Sequence, residues 1–169
     1  LVFGGAGNDV IDGDSDVVAT NFAWSYSFDG PLSYTLVNAV RFSDGAVVGD
    51  DDALYGGAGN DVLFGMKGKD LLYGEAGDDT ITGGDGDDVI LGGADNDALQ
   101  GDDFGTIGND YLDGGDGDDV VLGAAGDDIV VGGAGHDILY GEAATLLGVS
   151  GDDVLDGGEG DDELFGTGG

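Results

Sequence analysis

An aspartate returns every ninth residue through most of this chain. It stands at Asp9, Asp52, Asp61, Asp70, Asp79, Asp88, Asp97, Asp110, Asp119, Asp128, Asp137, Asp153 and Asp162. Each closes a short glycine-rich run, such as GGDGDD at 83–88. A short carboxylate beside crowded backbone carbonyls offers oxygen and nothing else, a donor set that suits a hard cation. The composition points the same way. There are 37 acidic residues against 3 basic ones, a formal charge of −34. The phosphate backbone of nucleic acid repels such a chain, and so does an anionic membrane surface. Its natural partners are cations. Charge of this size alone favours disorder. However, 40% of the residues are hydrophobic, enough for a core once the carboxylates are neutralised.

Around each aspartate lies a nine-residue frame. Repeats begin at Gly4, Gly13, Gly56, Gly65, Gly74, Gly83, Gly92, Gly101, Gly114, Gly123, Gly132, Gly141, Gly157 and Gly166, the last cut short. Position one is glycine in all fourteen, position six is aspartate in the thirteen complete repeats, and position eight is aliphatic. Glycine is expected to supply positive φ and to let carbonyls crowd around one point. The aliphatic residue is expected to point inward from a three-residue strand such as DVI, with positions seven and nine outward. A strand that short must stack on copies of itself. Position two varies (Glu75, Ala124, Glu142) and reads as less constrained. Position four is Asp95 in GGADND, a residue that tolerates the left-handed region. In GMKGKD, Met66, Lys67 and Lys69 bring two of the three cations into one loop, which should weaken the local site or trim its charge.

The pattern resembles the GGxGxDxUx nonapeptide of the RTX (haemolysin-type) calcium-binding family. The likeness is close over Gly4–Asp12 and Tyr55–Gly169. It implies an all-β fold, a right-handed parallel β-roll: a solenoid of 18-residue turns in which each repeat stacks on the next but one. Ca²⁺ would then lie between stacked loops, held by loop carbonyls and by the position-six Asp of both, which makes the thirteen aspartates metal ligands. Thirteen repeats offer eleven stacked pairs, among them Asp61 with Asp79, Asp70 with Asp88 and Asp79 with Asp97. About eleven Ca²⁺ would cancel 22 of the 34 negative charges.

Three repeats exceed nine residues, from Gly13 to Tyr55, Gly101 to Asp113 and Gly141 to Asp156. Each breaks after position two, at GD, GD and GE. They are the second, eighth and twelfth repeats, so in a roll of alternating sides all three insertions leave from one edge. The expected organisation is the start of the roll over 1–13, an inserted β-hairpin or flap over 14–51, and the roll again over 52–169. Within the flap, Phe22, Trp24, Tyr26 and Phe28 alternate with small or polar residues, a strand signal. That row reads as a packing face, the other use of such a row being a sugar-binding strip. The chain opens with LVF and closes with GTGG, both inside the motif, and reads as a fragment of a longer array.

Catalysis lacks its residues. The single histidine, His136, sits at position five of GGAGHD and is expected to point out of its loop. There is no cysteine, so a zinc site lacks ligands. No G-x-S-x-G elbow occurs. Paired carboxylates can serve glycoside hydrolysis, but every repeat aspartate already has a calcium position, and no enzymatic activity is expected. No apolar run reaches the roughly 18 residues of a membrane span. The resemblance implies a structural module of a larger secreted or cell-surface protein of a Gram-negative bacterium, exported by type I secretion. Apolar outward positions (Val62, Phe64, Val120, Leu122, Ile138, Tyr140) would suit packing against neighbouring copies or domains, as in an adhesin or surface-layer assembly. The alternatives are an accessory module of a secreted epimerase, lipase or protease, or a carbohydrate-binding module built on Trp24.

Overall fold

A computed structural model describes residues 2–7, 10–12, 51–103, 105–142 and 151–166. Asp9 and, apart from Asp51, the flap expected over 14–51 with Trp24 lie outside the described residues. The strands are β1 (Val2–Ala6), β2 (Val10–Asp12), β3 (Ala53–Ala58), β4 (Val62–Lys67), β5 (Leu71–Ala76), β6 (Thr80–Asp85) and β7 (Val89–Ala94). They continue as β8 (Ala98–Asp102), β9 (Tyr111–Asp116), β10 (Val120–Ala124), β11 (Ile129–Ala134), β12 (Ile138–Glu142), β13 (Val154–Glu159) and β14 (Glu163–Phe165). Odd strands form one seven-stranded sheet in chain order, and even strands form the other. Every pairing is parallel, as in Leu54 beside Leu72 and Leu72 beside Ile90. The chain therefore alternates between two sheets, and two repeats make one turn of a β-solenoid.

Most strands are five or six residues long, not the three expected. The ladder does not stop at position nine. It runs on through the glycines of the following repeat, so the strand and half of the loop share one hydrogen-bonded unit.

Alternation along each strand turns position eight inward. Leu54, Leu63, Leu72, Ile81, Ile90, Leu99, Leu112, Val121, Val130 and Leu139 are 0–3% exposed and form one continuous core, with Leu155 packed against it. On the outer faces, the same register stacks Tyr55 on Tyr73 at 5.0 Å and Tyr140 on Phe165 at 4.9 Å between ring centroids.

Position one also faces inward, and this corrects the reason for its glycine. No position-one glycine between Gly56 and Gly157 has positive φ. The constraint is space. A β-carbon at Gly92 would lie 2.4 Å from Asp97 Oδ2 and 2.5 Å from the Gly114 carbonyl oxygen. Positive φ belongs instead to positions two and four. Position two is thus not the loosely constrained site its variability suggests. Met66 (φ 81°), Glu75 (81°) and Ala124 (90°) all occupy the left-handed region there, each at a cost of about 1–2 kcal/mol relative to glycine. Asp95 at position four has φ 76°, as its residue type allows.

The strands that lead into the three long repeats, β2, β8 and β12, all belong to the even sheet. The expected common edge therefore holds at the level of the strands. The insertions leave the register intact: Ile90 pairs with Leu112, and Val130 with Leu155.

Steric exclusion at position one yields a direct test. In Ca²⁺, Gly92→Ala should lower stability by about 1–3 kcal/mol, the usual cost of overpacking, seen as an earlier urea midpoint. Gly166→Ala, where a β-carbon meets nothing within 4 Å, should leave the midpoint unchanged. Equal midpoints for the two variants would contradict the packing argument.

Candidate metal centre

Each position-six aspartate sits where a glycine loop hands over to a strand. Two turns of chain, stacked, place these residues directly above one another. The backbone N–H of one aspartate donates to Oδ1 of the aspartate in the next turn. One file runs Asp61 to Asp79 (2.7 Å), Asp97 (2.8 Å), Asp119 (2.7 Å), Asp137 (2.9 Å) and Asp162 (3.0 Å). The other runs Asp52 to Asp70 (2.7 Å), Asp88 (2.8 Å), Asp110 (2.8 Å), Asp128 (2.9 Å) and Asp153 (3.1 Å). Twelve of the thirteen aspartates singled out by sequence are brought together in this way. The thirteenth, Asp9, lies outside the described residues.

The second oxygen of each carboxylate is the unusual one. Oδ2 of Asp79, Asp88, Asp97, Asp110, Asp119, Asp128 and Asp137 is buried and meets no hydrogen-bond donor. An orphaned buried carboxylate oxygen is expensive. Each lies in a cradle beside the position-one glycine of its own repeat, shared with a carbonyl oxygen from one turn later. A β-carbon at Gly74 would meet Asp79 Oδ2 at 2.2 Å and the Gly92 carbonyl oxygen at 2.5 Å. At Gly123 it would meet Asp128 Oδ2 at 2.5 Å and the Gly141 oxygen at 2.7 Å. Loop carbonyls add to the crowding. The Glu75 oxygen faces Gly93 of the next turn, and the Gly59 oxygen faces Gly77.

Among the described residues no three His, Cys, Asp or Glu side chains gather as a ready metal cage. A cation here must draw on backbone carbonyls as well as carboxylates. That all-oxygen, high-coordination environment fits Ca²⁺. Among the described residues no basic side chain competes for it. The one ion pair among the described residues joins Lys69 to Asp87, both on the exposed rim, so Lys69 trims rim charge and neutralises no buried aspartate.

Burial pushes the carboxyls up: Asp79 and Asp119 to about 6, Asp88, Asp97 and Asp128 to about 7, and Asp110 to about 8. The backbone N–H bond to Oδ1 pulls each back down, and the stacked neighbouring charges push it up again.

Two features escaped sequence reasoning. Position five is a second hydrogen-bonded file. Asn60 Oδ1 accepts from Asp78 N–H (3.2 Å), Asp78 Oδ1 from Asn96 N–H (3.1 Å), and Asn96 Oδ1 from Asp118 N–H (2.7 Å). The series continues through Asp118 to His136 N–H (2.9 Å), and His136 Nδ1 accepts from Asp161 N–H (3.1 Å). His136 is exposed, as expected, but it also serves as an acceptor. The available signal was the run of Asn, Asp and His at this position, which Lys69 alone interrupts from Asn60 to Asp161. The second feature is acid at position two of the inserted repeats. Asp102 and Glu142 are buried, at 1% and 5% exposure.

The RTX calcium-binding nonapeptide repeat model matches residues 1–17, 48–81, 64–99, 104–139 and 140–169. No curated protein matches the chain.

The raised carboxyl pKa values fix a pH dependence without metal. An unfolded Asp titrates near 3.9, and the folded values lie at about 6 to 8. Between these limits the folded state holds more protons than the unfolded one, so stability falls as pH rises through the window. In EDTA the chain should gain β structure by circular dichroism as pH falls from 8 to 5. Saturating Ca²⁺ should remove that dependence. Metal-free β structure that rises with pH across the window would contradict it.

Proposed function

We propose, from the premise that this chain belongs to the RTX calcium-binding nonapeptide repeat family, that Ca²⁺ is the switch that folds it. RTX repeats in a β-roll are a structural calcium-binding module. We assign the ligands to Asp9, Asp52, Asp61, Asp70, Asp79, Asp88, Asp97, Asp110, Asp119, Asp128, Asp137, Asp153 and Asp162, with about eleven ions between stacked loops. The observation that carries this is the buried, donor-free Oδ2 in successive turns of both files, with no basic side chain among the described residues to answer it. Bound Ca²⁺ supplies the positive charge. The residues do the rest: backbone N–H groups fix one oxygen of each carboxylate from Asp70 to Asp162, and position-one glycines leave the other its cradle.

At low Ca²⁺ the aspartates repel across each turn and the chain stays open. In millimolar Ca²⁺, binding to the folded form alone draws the equilibrium over. That difference suits a protein exported unfolded by type I secretion and folded outside a Gram-negative cell. The roll spans 1–13 and 52–169, with 14–51 as a β-rich insertion. The parent role we favour is an adhesin or surface-layer assembly. Its support is the apolar outer face of the odd sheet, where Val89, Tyr111, Ile129 and Val154 are 36–59% exposed in consecutive turns.

Circular dichroism tests the switch. At pH 7.5 the chain should be coil in EDTA and β in millimolar Ca²⁺, and Mg²⁺, which demands a smaller octahedral site, should not replace it. Full β structure in EDTA at this pH would sink the proposal. Stacking makes a finer prediction. Asp88 has a partner aspartate in the turns on both sides, whereas among the described residues Asp162 has one on the Asp137 side alone. Asp88→Ala should therefore lower the cooperativity of calcium binding more than Asp162→Ala, and equal effects would argue against nearest-neighbour coupling.

A further inference from the structure

The repeat that starts at Gly101 departs from the frame. Its second position is Asp102, and residues 103–107 intervene before the frame resumes at Gly108. In the neighbouring turns of the same file position two carries no carboxylate: it is Gly84 and Ala124. Asp102 turns into the protein and is 1% exposed. Its Oδ2 accepts the Ala125 N–H at 3.1 Å. Its Oδ1 is buried and has no hydrogen-bond partner.

The other nearby donors make their well-formed bonds elsewhere: Gly108 N–H goes to the Ala125 carbonyl at 3.1 Å, and the Thr106 hydroxyl engages the carbonyls of Asp103 at 2.8 Å and Gly84 at 3.0 Å. Burial pushes the Asp102 carboxyl up to about 6, and the Ala125 N–H, with weaker pulls from Gly108 and Thr106, does not offset it. Asp102 directly follows Gly101, whose β-carbon would lie 2.2 Å from Asp110 Oδ2 and 2.4 Å from the Gly123 carbonyl oxygen. Asp110 Oδ2 is itself buried without a donor. Asp102 also acts as a like charge on Asp88, Asp110 and Asp128. Asp110, which lines the cradle with a carbonyl, and Asp102, which follows the cradle's glycine, are thus two buried carboxylates, each with an orphaned oxygen and close enough for the one to repel the other.

We propose that Asp102 is an off-motif ligand of the cation site at Asp110, so that this turn, through two carboxylates and loop carbonyls, holds its ion more tightly than turns with an apolar second position. The inference rests on the calcium reading above. The extra carboxylate raises the ligand charge, the main lever on Ca²⁺ affinity in all-oxygen sites. It also explains why an acid is kept where the chain leaves the roll: the ion would pin the base of the insertion. The competing view is that Asp102 only clips Ala125 N–H. Asparagine separates the two, because it keeps the acceptor and loses the charge.

The experiment is calcium titration by isothermal calorimetry, with bound ions counted by equilibrium dialysis, on the wild type, Asp102→Asn, Asp102→Gly and Asp103→Asn. Asp102→Asn and Asp102→Gly should weaken the tightest step by roughly tenfold or lose one ion at low free Ca²⁺. Asp103→Asn makes the same charge change at an exposed neighbour and should match the wild type. If Asp102→Asn fails to fold in saturating Ca²⁺, Asp102→Gly carries the test, since glycine occupies this position at Gly84 in the preceding turn of the file. An Asp102→Asn or, in that event, Asp102→Gly titration identical to the wild type overturns the proposal and leaves the calcium reading standing. A wild type that takes up no Ca²⁺ overturns both.

Discussion

The fold turns on one electrostatic debt: buried carboxylates stacked turn upon turn, which from Asp79 to Asp137 have one oxygen bonded to backbone and the other meeting no hydrogen-bond donor among the described residues. Over that span these side chains are no more than 3% exposed. Isolated carboxylates are not retained in such places as anions. They are paired, coordinated or protonated. The described basic residues sit at the rim, with Lys69 held by Asp87. Protons or a divalent cation remain as the means of closing the turns, and the two are exchangeable in principle, which is why metal and pH enter the same account.

Everything else in the repeat serves that stack. The eighteen-residue spacing is what sets Asp79 N–H against Asp97 Oδ1 while Ile81 stacks beside Leu99. One period thus satisfies the polar loop and the apolar core together. Glycine at position one is the space that the second carboxylate oxygen needs. Insertions are admitted only where they leave this register alone. The bond from Asp88 to Asp110 at 2.8 Å spans 22 residues rather than 18, yet its geometry is that of its neighbours.

Much of this was legible in the sequence, because a repeat states its neighbour relations openly. The period, the aspartate at position six and the inward aliphatic residue follow from spacing and alternation, and the two-repeat turn from the family resemblance that they carry. What was not legible concerns contacts between turns. Glycine at position one looks like a request for positive φ until the Asp97 oxygen is seen 2.4 Å from where a side chain at Gly92 would begin. Position two looks permissive because Met66, Glu75 and Ala124 occupy it, although all three hold left-handed backbone. The position-five file could have been read from its acceptors, since Asn60, Asp78, Asn96, Asp118 and His136 have that property in common. Asp102 could not, because nothing in GDD says that its second residue turns inward.

The central claim is that cations lie between stacked loops and answer the buried Oδ2 atoms. Anomalous diffraction from a crystal grown in Ca²⁺ tests it most directly. The account predicts two files of calcium peaks, each within about 2.3–2.6 Å of a position-six carboxylate and of loop carbonyls. A fully formed roll at neutral pH with no calcium density beside Asp79, Asp97, Asp110 or Asp128 would contradict it.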